Sequence, residues 1–185
     1  MIIYIGAKSF NIEHIMTTKV ENLYLEAEND IRNNNFQEAF EKYETILYEE
    51  PGYAPAHNSI GWIYKTQFED YKRAEKHFNA AIQSDPAYPH PYFHLASVYL
   101  DQERIEELKV HLTRCLKVLT LDKAWIYVRY GILEENKGQY NEAIKLYKKA
   151  ILQTMSNDKI REYQSDIDRC RIKLEVIKED QEEAK

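Results

Sequence analysis

Four segments of this chain are written to one pattern: "NNFQEAFEKYETIL" from Asn34, "EDYKRAEKHFNAAI" from Glu69, "ERIEELKVHLTRCL" from Glu103 and "GQYNEAIKLYKKAI" from Gly138. Aligned, they put Ala39, Ala74, Leu108 and Ala143 in one column, with successive members 34 or 35 residues apart. Upstream of each stands a small residue, Ala27, Gly61, Ala96 or Gly131. Four residues downstream stands a large one, Tyr43, Phe78, Leu112 or Tyr147, and three further on Ile46, Ala81, Cys115 or Ala150. Two copies close with a proline, Pro51 and Pro86. A period of this length means a stack of identical supersecondary units, each burying its apolar face against the next.

The unit is a helix pair. Only five glycines and five prolines occur in 185 residues, too few for a turn-rich β architecture. Antiparallel helices approach to about 8–10 Å only where small side chains cross, and Gly61 against Ala74 and Ala81 is expected to make that crossing. Asn33 to Asn35 and Lys137-Gly138 are turn-forming. Phe36, Tyr71, Ile105 and Tyr140 recur three residues before the alanine column, where they can pin each turn to the core. Pro51 and Pro86 stop the second helices, because proline lacks an amide donor and clashes with the preceding turn. From Asn157 onward, Ile160, Tyr163, Ile167, Cys170, Leu174 and Ile177 form one apolar stripe at steps of three and four, the pattern of a helix that covers an open end. Leu174 and Ile177 are expected to overhang the array.

The columns resemble the tetratricopeptide repeat, with its small residue in a first helix, alanines and an aromatic in a second, and a proline at the turn. The third copy departs from it: Leu108, Leu112, Cys115 and Thr120 replace alanine, aromatic, alanine and proline. The resemblance implies an all-α fold, a right-handed superhelical array of four helix-turn-helix repeats at about 20–53, 54–88, 89–122 and 123–156, within a domain spanning 19–156. A capping helix with a charged tail follows over 157–185, and 1–18 is an extension; Met16 is a plausible alternative start. In that family the first helices line a concave groove that commonly binds peptides. Carried over position by position, the groove residues are Glu21, Tyr24 and Glu28; Pro55, Asn58 and Trp62; His90, Phe93 and Ser97; and Trp125, Val128 and Ile132. Packing is the competing role for aromatics in a helical array. For the two tryptophans groove exposure is favoured, because Ile63 and Ile126 already fill the adjacent core positions. Where relatives that clamp a C-terminal carboxylate carry Lys, Asn, Asn, Lys and Arg, this chain has Tyr24, Glu28, Ser59, His90 and His94. Carboxylate capture is not expected; an apolar or aromatic peptide with a basic residue facing Glu28 fits better.

A formal net charge of −6 gives no general attraction to nucleic acid or anionic lipid, and no stretch approaches the roughly 20 apolar residues that cross a bilayer. Cys115 and Cys170 fall on apolar helix positions and form no cluster, which points to a reducing, cytoplasmic setting. His90 and His94 share a helix face, with His57 placed near the same surface, but no further ligand completes a metal site; no cofactor is expected. No phosphate loop or nucleophile motif is present, and acid pairs such as Glu134-Glu135 and Glu106-Glu107 read as solvated helix faces. The expectation is a non-enzymatic module for a protein or peptide partner. The alternative is an oligomerising subunit whose groove holds its own N-terminal extension or another copy.

Overall fold

The computed structural model describes residues 19–183; the N-terminal extension, and with it the filling of the groove by that segment, lies outside the described residues. The described residues fold into nine α-helices and no strand. They are α1 (19–32), α2 (Phe36–Glu49), α3 (Ala54–Thr66), α4 (Tyr71–Ser84), α5 (His90–Asp101), α6 (Ile105–Cys115), α7 (Lys123–Asn136), α8 (Tyr140–Ile151) and α9 (Asn157–Glu183). The chain divides into two compact units, one through Glu103 and one from Arg104 onward. The division falls inside the stretch read as the third repeat.

Every second helix begins on the residue expected to pin the turn: Phe36, Tyr71, Ile105 and Tyr140. Two residues before each is a left-handed backbone position, Asn34 (φ 62°), Glu69 (51°), Glu103 (55°) or Gly138 (74°). Such a residue lets an amide reach back over the helix end, as Asn35 N–H does to Asp30 C=O and Gln139 N–H to Glu134 C=O, both 2.9 Å, which satisfies carbonyls the helix cannot. After Glu69, Asp70 N–H likewise reaches Tyr64 C=O at 2.9 Å; neither Glu69 nor Glu103 has the tolerance of glycine or asparagine, so these turns were invisible to composition. Pro51 and Pro86 act as expected, forcing Glu50 and Asp85 out of the helical region (φ −129° and −138°). The third repeat lacks that proline. Lys123 stands in, its ammonium donating to the carbonyls of Cys115 (3.3 Å), Leu116 (2.8 Å) and Val118 (2.5 Å) at the end of α6.

In the first unit the core runs through α1, α2 and α3, from Val20 and Ala27 to Ala39, Tyr43 and Ile46 and on to Ala56, Ile60 and Ile63. The tightest approach to the α3 glycine comes from a ring on α4: a Cβ at Gly61 would lie 2.7 Å from the Phe78 ring, and one at Gly131 would lie 2.6 Å from the Tyr147 ring. The glycine is there to seat an aromatic face, and the alanines of the column are buried beside it.

In the second unit α9 packs on α8. Tyr163, Ile167 and Cys170 are buried in clusters with Ala143, Tyr147, Ala124 and Ala150, so the first half of the stripe caps the fourth repeat as expected. Leu174 is half-buried and Ile177 is 40% exposed. The cap is held by more than apolar contact. Glu135, read from sequence as part of a solvated face, is 7% exposed. It accepts hydrogen bonds from the Tyr147 hydroxyl (2.8 Å), from Arg169 (2.8 and 2.7 Å) and from Lys173 (2.8 Å). Arg169, above all, with Lys173 and Tyr147, holds its carboxyl far below the usual carboxylate range against the opposing effect of burial. Glu106 and Glu107, by contrast, are exposed and pair within their own helix turn.

Candidate functional site

A cleft of about 340 Å³ opens in the first unit, and six side chains singled out from sequence line it: Tyr24, Glu28, Asn58, Trp62, His90 and His94. They come as three pairs, each four residues apart, from α1, α3 and α5. Residues at that spacing lie one above the other on a helix face, so three successive first helices each turn one pair into the same space. Ser59 lines the cleft beside Asn58. Two further lining residues escaped the sequence reading: Ile31, one turn beyond Glu28, and Tyr88, in the loop before α5. The signal for Tyr88 was a tyrosine between Pro86 and Pro89, a stiff loop with no helical phase to place it.

Glu28 is the single carboxylate among these side chains. The Tyr43 hydroxyl (2.6 Å) and the Ser59 hydroxyl (3.1 Å) both donate to its Oε1, so the second oxygen is engaged by neither. Tyr24 places its hydroxyl 3.5 Å from Ser59 Oγ and its ring 5.7–5.8 Å from those of Tyr53 and Tyr43. Burial pushes the Tyr24 hydroxyl pKa upward, and burial followed by the Glu28 charge pushes Tyr88 up to about 12. Both phenols stay protonated. His94 stacks on Phe78 with ring centroids 5.3 Å apart; burial first, then His90 and Lys65, lowers its pKa to about 4, so it is neutral near pH 7. Lys65 is bound to Ser97 (2.8 Å) and Asp101 (2.9 Å). Asn58 is 8% exposed, and its side-chain oxygen has no hydrogen-bond partner among the described residues. Trp62 is half-buried with Phe36 beside it (6.1 Å).

Phe93 is half-buried on α5 and is not among the side chains lining the cleft. His57 does not face the cleft either: its Nδ1 meets His77 Nδ1 at 3.1 Å and its Nε2 lies 3.0 Å from the Pro51 carbonyl. Burial, then His57 and Lys76, lowers the pKa of His77 to about 4. Among the described residues no group of three or more His, Cys, Asp or Glu side chains is placed to hold a metal ion. In the second unit Trp125 is half-buried with the Arg129 guanidinium 5.4 Å from its ring. Val128 and Ile132 pack against the cluster of Ala143, Tyr147, Ile167 and Cys170, where α9 covers α8. Cys115 and Cys170 are buried free thiols, and burial raises both to about 11.

A family model described as tetratricopeptide repeat matches residues 54–88 and 126–152, the second and fourth repeats. Over 124 residues the chain is 27% identical to Superkiller protein 3 of Schizosaccharomyces pombe; the match takes in 64% of this chain and spans only 9% of that protein's length. Among solved structures, a thermophilic TPR protein of Thermus thermophilus is similar in fold, with a TM-score of 0.63, 19% identity, and coverage of 80% of this chain and 81% of that one. Human IFIT1, solved as a dimer with PPP-AAAA, gives a TM-score of 0.74 at 19% identity over 94% of this chain and 43% of its own. The repeat columns, the helix pairs and these matches agree: the chain carries tetratricopeptide repeats, matched directly at residues 54–88 and 126–152.

Proposed function

We propose that this chain is a non-enzymatic protein-interaction module that holds an extended or helical segment of a partner against Trp62, between the side chains of α1 and those of α5. The tetratricopeptide fold supports an interaction or scaffold role in general. The observation that carries the finer reading is the convergence of three i, i+4 pairs on one cleft around a buried amide oxygen that none of the described residues satisfies. A buried acceptor without a partner costs about 1–3 kcal/mol, and a bound segment would recover it. IFIT1 has been solved with m7Gppp-AAAA and with PPP-AAAA, but here the cleft holds a carboxylate and, among the described residues, no lysine or arginine lines it. That disfavours a phosphate ligand.

The test places a photoreactive benzoylphenylalanine at position 90, on the cleft rim, or at position 72, on the exposed outer side of α4. After irradiation in lysate, crosslinked peptides are identified by mass spectrometry. Position 90 is expected to yield adducts confined to short segments of one or a few proteins. Equal and indiscriminate labelling from both positions would overturn the proposal.

A further inference from the structure

We infer that the cleft recognises an arginine side chain of the partner segment, an inversion of the cation-lined clamp that captures carboxylates. The inference rests on reading the cleft as the partner site and specifies its chemistry. Its groups are acceptors and rings. Tyr43 and Ser59 both address Oε1 of Glu28, and the Tyr24 hydroxyl also interacts with this carboxylate; these are neutral donors, so its charge stays unneutralised within the cleft. The Asn58 amide oxygen is nine-tenths buried, lines the cleft and lacks a donor among the described residues. Trp62 offers a half-buried indole, and His94, held by its stack on Phe78, contributes an uncharged ring to the wall.

What is missing matters equally. Among the described residues no lysine or arginine lines the cleft, and Lys65, which acts electrostatically on His94, is tied to Asp101 and Ser97. Glu28 therefore lacks a cationic partner among the described side chains of the cleft. A guanidinium supplies several N–H donors in a planar fork, enough to address a carboxylate oxygen and an amide oxygen together, and its flat face stacks on an indole. An ammonium is a compact, strongly hydrated point charge that cannot stack in this way. The cleft volume of about 340 Å³ also leaves room for peptide backbone beside the side chain. An apolar side chain would leave both acceptors unmatched.

The experiment uses the full chain with Trp125→Phe, so that Trp62 is the sole indole, and follows its N–H resonance during titration. The probes are Nα-acetyl-arginine amide, its isosteric neutral counterpart Nα-acetyl-citrulline amide, and the lysine equivalent. Saturable binding of the arginine probe is expected, with citrulline weaker by about tenfold or more, the loss of a charge-assisted hydrogen bond, and lysine between them. Glu28→Gln, which keeps an acceptor for Tyr43, should weaken the arginine probe by about tenfold. Asn58→Asp should tighten it, so a folding failure in one variant leaves the other decisive. Equal binding of citrulline, or an unchanged affinity in both variants, would overturn the inference. So would binding of PPP-AAAA that tightens in Glu28→Gln, since it would assign the cleft to an anion. Crosslinking confined to position 90 without arginine selectivity would leave the interaction-module reading standing and remove this one.

Discussion

Replacing Glu135 by alanine tests how the array is closed. The Tyr147 hydroxyl donates to Glu135 at 2.8 Å from a fully buried side chain, so the variant strands a donor that water cannot reach, at a cost of about 1–3 kcal/mol. Arg169 and Lys173 are 47% and 43% exposed; both return to water, so the loss of their ion pairs adds less than the stranded hydroxyl. Arg169 also keeps Asp166 at 2.7 Å. The sum is about 3 kcal/mol, most of it from one hydroxyl. Glu135→Gln keeps an acceptor for Tyr147 and should lose only about 1 kcal/mol. Urea unfolding in a Trp62→Phe background, followed by the fluorescence of Trp125, measures both. Because the folded-state pKa of Glu135 is depressed, its stabilisation is fully present above the unfolded carboxylate value of about 4.3 and is lost as pH falls through the folded value. The gap between wild type and Glu135→Ala should thus stay constant from pH 7 to about pH 5 and narrow in stronger acid. A loss under about 0.5 kcal/mol at pH 7, or a gap that widens on acidification, would refute this account of the node.

Gly61→Ala should destabilise by about 1 kcal/mol, as about 1–3 kcal/mol of overpacking against Phe78 outweighs about 1 kcal/mol of gained helix propensity. Adding Phe78→Leu should restore much of it, read from the same urea curves. Glu103→Gly should raise stability by about 1 kcal/mol and Gly138→Ala should lower it by as much, because the left-handed backbone at both positions burdens a side chain; thermal melts decide. His77 and His94 are half-buried with lowered pKa and between about pH 6.5 and 4 take up protons chiefly when unfolded, so wild-type stability should decline as pH drops through that interval. Substituting both by Gln should flatten that interval in a pH series of melts. Truncation after Ser156 should expose the apolar face under Tyr163 and Ile167 and cause aggregation, whereas truncation after Arg171 should keep the protein soluble with only a small drop in melting temperature; light scattering and melting separate the two.

The helix pairs, their starts and the cap were legible because each is dictated by local spacing: a period of 34 or 35 residues, a proline, an apolar stripe. Six of the positions carried over line one cleft for the same reason, since i, i+4 pairs on one helix face need no knowledge of the neighbours. What escaped was set by side chains meeting from different helices. Glu135 looks like any exposed acid until α8 and α9 bring Tyr147, Arg169 and Lys173 to it. Gly61 was paired with alanines by size, and the ring of Phe78, on the same helix as Ala74 and Ala81, was missed as its nearest neighbour. Tyr88 joined the cleft from a loop, and His57 left it, because the partner it meets, His77, stands on the next helix rather than on its own.

The lysine that ends α6 differs in kind from the prolines that end α2 and α4. A proline stop is covalent and indifferent to salt, pH or acylation. The stop at Lys123 is three hydrogen bonds from one ammonium to carbonyls at a helix end, a contact that charge loss abolishes and added electrolyte weakens. Compared with α2 and α4, α6 is therefore the helix whose terminus can be reversibly unfastened. Backbone amides around Val118 should exchange with deuterium sooner after lysine acetylation, while those preceding Pro51 and Pro86 keep their rates.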